Sequence, residues 1–184
     1  MQIVPTSLPE VIVLEPDVHS DDRGFLIEAF QERRFAEAGL PSHFVQENHS
    51  RSRAGVVRAL HYQLHNPQGK LVTAMTGEIF DVAVDIRVGS PRFGQWTARN
   101  LRGDVPTYMW IPAGFAHGFA VLSESADVLY KCTAPYDPAD TRGVLWNDPG
   151  IGIPWPVANP VLSADDRRRP RLETLSHLLP RYVT

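Results

Sequence analysis

The chain has very little cysteine and lysine: one cysteine, Cys132, and two lysines, Lys70 and Lys131, occur among its 184 residues. A single cysteine cannot form an internal disulfide, which excludes the class of small secreted domains held together by disulfides. No apolar run approaches the length of a membrane span, and none resembles a signal-peptide core behind basic residues. We therefore expect a soluble, cytoplasmic protein with no membrane partner.

The chain also lacks a strong excess of either charge. Its formal net charge is −3 and its isoelectric point lies near 6.1. This balance argues against a protein held to nucleic acid or to a membrane surface by bulk electrostatics. Arginine supplies the rest of the positive charge, which we interpret as composition bias. The two lysines, however, both fall in strand-like segments, where a compact ammonium can sit beside an anionic oxygen.

Internal repeats and low-complexity segments are absent from the sequence, and its length predicts a single domain over residues 1–184. Proline and glycine separate short runs that are rich in β-branched and aromatic residues. Such runs predict an all-β sandwich or barrel, and we take a jelly roll as the fold class because it can enclose a ligand pocket. The predicted strands cover residues 11–14, 25–30, 56–64, 71–76, 78–86, 94–101, 108–111, 115–122 and 128–133.

Helices are predicted at two places only. The first covers residues 32–38 and is ended by Gly39 and Pro41. The second covers residues 170–179, where Pro170 suits the first turn and three leucines share one face.

Two histidines lie inside strand-like apolar runs, His61 in RALHYQ (58–63) and His117 in IPAGFAHGF (111–119). An imidazole in such a run is either a satisfied core residue or a working acid–base group. A lone histidine favours the core role, whereas two histidines near a lysine and a tyrosine shift the balance towards function. Strand alternation adds pocket-wall neighbours on the same faces, namely Gln63 and His65 beside His61, and Phe115, Phe119 and Val121 beside His117.

Metal binding is the rival use of these histidines, because Pro112, Gly114 and His117 have the spacing of the second half of the metal-cupin signature. The first half needs a His-x-His pair followed by glutamate, whereas here His61 and His65 are four residues apart. Their Cα atoms in a strand would lie about 13 Å apart at ~3.3 Å per residue, too far to reach one metal ion. We therefore predict no metal site.

A histidine can act as a base without a metal if a carboxylate orients its ring and stabilises the imidazolium. The residues alone leave four candidates open for this partner: Asp81, Asp85, Asp165 and Asp166.

Two further features have plain structural interpretations. Tyr130 shares a strand face with Val128 and Cys132, so a core tyrosine is as reasonable as a catalytic one. The arginine run at 167–169 is interpreted as a solvated face, and we predict no catalytic role for it.

The histidine motifs belong to a longer ordered set: DRGF (22–25), QENHS (46–50), QGKLV (68–72), LYKCT (129–133), WNDP (146–149) and LSADD (162–166). Each motif alone is weak, but their order and spacing together resemble the dTDP-4-dehydrorhamnose 3,5-epimerase family over most of the chain. The resemblance implies a cupin-type jelly roll that works as a homodimer without metal or organic cofactor. It implies a nucleotide-sugar substrate, dTDP-4-dehydro-6-deoxy-D-glucose, whose C3 and C5 are epimerised on the way to dTDP-L-rhamnose.

The resemblance also assigns roles to the candidate residues. His61 becomes the base, oriented by Asp166, and Lys70 stabilises the developing enolate oxygen together with His117. Tyr130 delivers a proton to the opposite face of the enolate. The substrate-binding positions are Arg23, Glu28, Gln46, Asn48 and Arg58, with Tyr136 where the family stacks an aromatic ring on thymine.

The chain departs from the family pattern at several positions. Ala59 replaces a glycine, and Arg58 and His61 would face opposite sides of a regular strand, so a local irregularity is needed. Thr141 stands where a substrate-contacting glutamate is usual, and Asp165 stands where a lysine is usual. The tyrosine-rich stretch of the family reads APY at 134–136.

These departures keep three alternatives open. The chain could be a mono-epimerase of another nucleotide 4-ketosugar, a metal-dependent cupin oxygenase, or a non-catalytic sugar-binding cupin.

Overall fold

The computed structural model describes residues 1–183, which form antiparallel strands and very little helix. The α-helix of the described residues, α1, covers Glu32–Glu37, inside the predicted range, and Gly39 follows it with a left-handed φ of 70°. The strands are β1 (Gln2–Pro5), β2 (Ile12–Glu15), β3 (Val18–Asp21), β4 (Gly24–Ile27), β5 (Gln46–Arg53), β6 (Val57–Gln63), β7 (Lys70–Thr76), β8 (Glu78–Asp85), β9 (Trp96–Arg102), β10 (Tyr108–Ile111), β11 (Phe115–Val121), β12 (Ser125–Cys132) and β13 (Thr141–Gly143).

These strands form two larger sheets and one hairpin. The six-stranded sheet has the order β1-β2-β10-β7-β12-β5, the five-stranded sheet has the order β13-β6-β11-β8-β9, and β3 pairs with β4 alone. Apolar side chains from both large sheets, such as Val72 and Met109 from one and Ile79 and Phe119 from the other, meet in a shared core. The predicted all-β jelly-roll sandwich is confirmed.

A second core lies on the outer face of the five-stranded sheet. There Val82, Val84 and Ala120 pack against the C-terminal part of the chain, including Leu172 and Leu175. This packing corrects the prediction of a helix over 170–179, because only a short 3₁₀ turn, Leu172–Thr174, forms in that segment. The leucines are buried as their spacing indicates, but successive turns place them on the sheet, and the Leu172 amide donates to Asp148 Oδ2 at 2.6 Å.

Strand β6 contains the irregularity that the sequence requires. His61 pairs with His117 of β11, and Arg58 pairs with Phe119, so three steps along β6 match two along β11. As a result Ala59 and Leu60 both point into the outer core, while Arg58 and His61 both point between the sheets. Gly118 accommodates the bulge, because a Cβ there would lie 2.5 Å from the Cβ of Ala59.

Four strands were missing from the prediction: β1, β3, β5 and β13. The longest of them, β5, has the sequence QENHSRSR, which lacks an apolar face. Its alternate residues Gln46 and Asn48 line a polar cavity, so this strand is held by its pairing with β12 and needs no hydrophobic stripe. No helix among residues 1–183 is long and apolar enough to cross a membrane.

Candidate active site

A cavity of about 450 Å³ opens between the two large sheets and is lined mainly by polar side chains. A narrower recess of about 120 Å³ continues from it towards His117, and both spaces share Arg58, His61, Lys70 and Tyr130. The structure therefore brings together nine of the residues predicted for the site, which are His61, Lys70, His117, Tyr130, Asp166, Gln46, Asn48, Arg58 and Tyr136.

His61 is paired with one of its four candidate carboxylates. Its Nε2 lies 2.7 Å from Oδ1 of Asp166, and the Asp166 amide donates to Ser163 Oγ at 3.0 Å. Burial alone would raise the pKa of Asp166, but hydrogen bonds from His61 and Ser163 and the nearby charges of His61 and Arg169 outweigh burial and lower it. Asp166 is therefore a stable anion that can orient an imidazole and stabilise its protonated form.

His117 has a separate carboxylate partner in the deeper recess. Its Nε2 lies 2.8 Å from Oδ1 of Asp81, and both side chains are buried. Burial lowers the pKa of His117, and the hydrogen bond and charge of Asp81 offset this effect only in part. His117 is thus a neutral imidazole near pH 7, suited to donate or accept a hydrogen bond without carrying charge.

Lys70 lies at the start of β7, opposite Cys132 of β12 and Ile111 of β10. Burial lowers the pKa of its ammonium, and the neighbouring side chains of Cys132 and Asp81 offset this effect only in part. Lys70 makes no ion pair with any residue of the described chain, so its ammonium is available to an anionic group in the cavity. The second lysine, Lys131, points outward and pairs with Glu47.

Tyr130 lines the cavity from β12, in the six-stranded sheet, whereas His61 lines it from β6, in the five-stranded sheet. These two side chains therefore approach a bound molecule from opposite walls. Burial raises the pKa of the Tyr130 phenol, so the hydroxyl stays protonated at neutral pH and can act as a donor.

The outer rim of the cavity is organised by a chain of hydrogen bonds. The amide of Tyr136 donates to Gln46 Oε1 at 2.7 Å, and Gln46 Nε2 donates to Asn48 Oδ1 at 3.0 Å. Arg58 Nε donates to Ser52 Oγ at 3.1 Å. The amide groups and the guanidinium present N–H donors to the cavity, which suits an anionic or carbonyl-bearing ligand.

Arg23 and Glu28 do not reach the cavity of their own chain. Arg23 follows β3 and pairs with Asp21 at 2.5 Å, and Glu28 follows β4 and pairs with Arg34 at 2.7 Å. Both side chains are at least half exposed. The prediction that they bind substrate is therefore not met within one chain.

Several residues that the sequence interpretation did not select also line the cavity. They include Gln68 and, from the run interpreted as a solvated face, Arg169. No local pattern distinguishes Arg169 from Arg167 and Arg168, so only the path of the chain after Asp166 reveals its position. Thr141 and Asp165, which stand where the family usually has a glutamate and a lysine, line this cavity too. Of the two wall neighbours predicted beside His61, Gln63 lines the cavity, whereas His65 is exposed and lies outside it, because β6 ends at Gln63.

The other two candidates, Asp85 and Asp165, do not pair with His61. Asp85 accepts hydrogen bonds from Arg87 and from Ser90 Oγ. Asp165 is mostly exposed. Among residues 1–183, no group of three or more His, Cys, Asp or Glu side chains is arranged to hold a metal ion.

Comparison with known proteins matches this chain to one family. The family profile described as dTDP-4-dehydrorhamnose 3,5-epimerase matches residues 5–174. The chain is 54% identical over 170 residues to the dTDP-4-dehydrorhamnose 3,5-epimerase of Pseudomonas aeruginosa, covering 91% of this chain and 94% of that protein. It is also 37% identical over 188 residues to a dTDP-4-dehydrorhamnose 3-epimerase of Streptomyces niveus, covering 100% of this chain and 91% of that protein.

A solved structure extends this similarity to three dimensions. The dTDP-6-deoxy-D-glucose-3,5-epimerase of Legionella pneumophila, in complex with dTDP-4-keto-L-rhamnose, matches with a TM-score of 0.97 and 47% identity. The match covers 100% of this chain and 99% of that chain.

The His117–Asp81 pair yields a testable pH dependence. Because Asp81 is the group that raises the pKa of His117 against burial, Asp81→Asn should lower that pKa further. NMR titration of the His117 ring should show protonation at a lower pH in Asp81→Asn than in the wild type. The exposed carboxylate Asp104 offers a matched control, since Asp104→Asn should leave the titration of His117 unchanged.

The sign of the linked stability change follows from the same shift. A histidine whose folded pKa lies below its unfolded value near 6.5 binds fewer protons when folded, so its contribution to stability is lost as pH falls. A His117 titration that does not move in Asp81→Asn would contradict the coupling of this pair.

Proposed function

Since the chain belongs to the dTDP-4-dehydrorhamnose 3,5-epimerase family, we propose that its cavity binds dTDP-4-dehydro-6-deoxy-D-glucose and inverts C3 and C5. The protein is an isomerase that serves dTDP-rhamnose biosynthesis. One observation carries the proposal: a His–Asp pair and a protonated tyrosine enter the same cavity from opposite sheets, with an unpaired lysine beside them.

His61 is the proposed base. The C4 ketone acidifies the hydrogens on C3 and C5, so a single imidazole can remove either proton and leave an enolate with its negative charge on O4. The 2.7 Å contact with Asp166 supports this role, because the carboxylate stabilises the imidazolium that forms.

Lys70 and His117 are the proposed stabilisers of the enolate oxygen. Lys70 offers an amino group that forms no ion pair within the described chain, and His117 offers an imidazole held by Asp81. Donors fixed in a cavity away from bulk water stabilise developing charge without reorganising, so they contribute more than they would in solution.

Tyr130 is the proposed acid. Return of a proton from His61 would restore the original stereocentre, whereas a proton from the opposite wall inverts it. The phenol is protonated at neutral pH because burial raises its pKa. Inversion through an enolate requires one group that removes a proton and another that returns one. No electron leaves or enters the sugar, and we propose that the reaction uses neither a metal nor an organic cofactor.

The rim binds the nucleotide in this proposal. Gln46, Asn48 and Arg58 supply N–H donors, and the guanidinium fork of Arg58 matches phosphate oxygens. Tyr136 is more than half exposed at the mouth of the cavity, where its ring is free to stack on thymine.

A homodimer is proposed to complete the site. The hairpin formed by β3 and β4 exposes Phe25 and Leu26, 53% and 72% accessible, next to Arg23. Exposed apolar residues on a short hairpin mark a surface that gains stability when a partner covers it. Arg23 and Glu28 do not reach the cavity of their own chain. In a homodimer they would instead reach the cavity of the second copy.

Two wider features are also proposed. The residues that line the cavity extend from Gln46 to Arg169 and come from both sheets, which supports a single domain over residues 1–184.

The buried thiol of Cys132, which forms no disulfide, suits the reducing cytoplasm.

A second candidate function is inversion at C3 alone. The observation in its favour is the 37% identity to the 3-epimerase of Streptomyces niveus. The 54% identity to the 3,5-epimerase of Pseudomonas aeruginosa is higher, which is why inversion at both carbons is the first proposal. Deuterium uptake from D2O at C3 but not at C5 of the substrate would select this function.

Replacement of the base should abolish exchange. We expect His61→Asn to lower deuterium uptake at both carbons by roughly 10²- to 10⁴-fold, the usual contribution of a positioned acid–base group. NMR of the substrate in D2O measures both positions at once. His65→Asn is the matched control, since His65 is exposed and lies outside the cavity. Wild-type uptake in His61→Asn would contradict its assignment as the base.

Replacement of the acid should separate exchange from inversion. Tyr130→Phe keeps the ring but removes the hydroxyl, so we expect inverted product to fall by about 10²-fold while deuterium uptake falls less. Comparison of product formation with exchange in one reaction measures the difference. Tyr108→Phe, also half-buried but outside the cavity, should behave as the wild type. Inversion at the wild-type rate in Tyr130→Phe would contradict the acid role.

The dimer is tested by complementation. Arg23→Ala and His61→Asn should each be weakly active alone, yet mixed and reassembled chains should regain activity, because one site of the mixed dimer contains both native residues. Leu26→Asp should dissociate the dimer in light scattering, whereas Val105→Asp, at an exposed turn residue, should not. If mixing restored nothing while both variants dimerised normally, Arg23 would act within its own chain.

A further inference from the structure

Arg169 is a cavity-lining guanidinium that has no partner in residues 1–183. It lies on the same wall as Thr141, Ser163 and Asp166. Its Nε is shielded from solvent and makes no hydrogen bond, and the described chain offers its other nitrogens neither a hydrogen bond nor an ion pair. A guanidinium is always charged, and an unpaired charge in a partly buried wall is costly unless a ligand pairs with it.

The backbone of β13 determines where this side chain lies. Gly143 pairs directly with His61, and the Cδ and Nε of Arg169 occupy the space that a side chain at residue 143 would fill. A Cβ on Gly143 would lie 2.8 Å from Nε and 2.9 Å from Cδ. The absence of a side chain at this position therefore brings Arg169 next to the strand that carries the proposed base.

The neighbouring charged residues have contacts of their own. Arg168 Nε donates to the carbonyl of Ala164 at 3.1 Å, and an oxygen of Asp165 lies 3.9 Å from the Arg168 guanidinium. Asp166 accepts from His61. Of the three arginines at 167–169, Arg169 alone lines the cavity.

We propose that Arg169 is a substrate-contacting residue whose guanidinium binds a phosphate oxygen of the nucleotide diphosphate. The diphosphate is the strongly anionic part of the proposed substrate, and planar N–H donors match phosphate oxygens. This inference rests on the proposed function, since it needs a nucleotide-sugar in the cavity. It adds a second guanidinium to Arg58, on the wall formed by the C-terminal part of the chain.

Calorimetric binding of dTDP and of thymidine separates this role from a structural one. Arg169→Met keeps the length of the side chain without its charge, so it should weaken dTDP binding about tenfold or more and leave thymidine binding unchanged. Arg169→Lys should recover part of the loss. Arg168→Met, at an exposed arginine, is the matched control and should bind dTDP as the wild type does.

Steady-state kinetics provide a readout that distinguishes contact with the substrate from an effect through Asp166. Loss of a phosphate contact should raise KM far more than it lowers kcat. If Arg169 acted instead by keeping Asp166 anionic, Arg169→Met would lower kcat and shift its acidic pH limit with dTDP affinity unchanged, which would overturn the proposal.

Gly143→Ala tests the same contact without altering the arginine. The added methyl should displace the guanidinium and weaken dTDP binding in the direction of Arg169→Met, and the two changes together should be less than additive. Thermal unfolding verifies that each variant is folded.

Unchanged dTDP affinity in folded Arg169→Met would refute the role of Arg169 while the proposed function stands. Failure of the wild type itself to bind dTDP would overturn both.

Discussion

The bulge in β6 is the constraint on which the site depends. A regular strand would place Arg58 and His61 on opposite faces, so one of them would be buried in the outer apolar core. Ala59 and Leu60 both point into that core. The side-chain alternation of β6 is therefore shifted by one residue, and His61 points into the cavity beside His117. One extra residue thus supplies two cavity side chains from a single short strand and anchors the strand on both sides.

The two histidines of the cavity are accommodated inside the sandwich because each is paired with a carboxylate. Each histidine has its own carboxylate, Asp166 for His61 and Asp81 for His117, and the two pairs differ in burial. The His61–Asp166 pair is partly exposed, whereas the His117–Asp81 pair is buried, and burial holds the pKa of His117 below its usual value. Lys70 and Arg169 also line this space and form no ion pair in the described chain, so both are available to an anionic ligand.

Local patterns predicted most of the fold and much of the site, and they failed where tertiary contacts replace local ones. The apolar strands were recognised because alternation and β-branched residues reflect burial on a sheet. Strand β5 was missed because its inner face lines the cavity and its outer face is solvated. The leucines of 170–179 were predicted to share one face of a helix. They are buried, but the sheet beneath them supplies the packing, so turns suffice and no helix forms.

The sequence by itself determined the fold class, the family and the residue types of an acid–base centre, because these follow from short-range alternation and from motifs in order. It left four aspartates open as partners of His61, and the resemblance favoured Asp166. Only the tertiary structure decided that Asp166 and Asp81 each orient one histidine, that Arg23 and Glu28 lie away from their own chain's cavity, and that Arg169 enters it. Those outcomes depend on the path of the chain between distant elements, and no spacing along a single strand encodes that path.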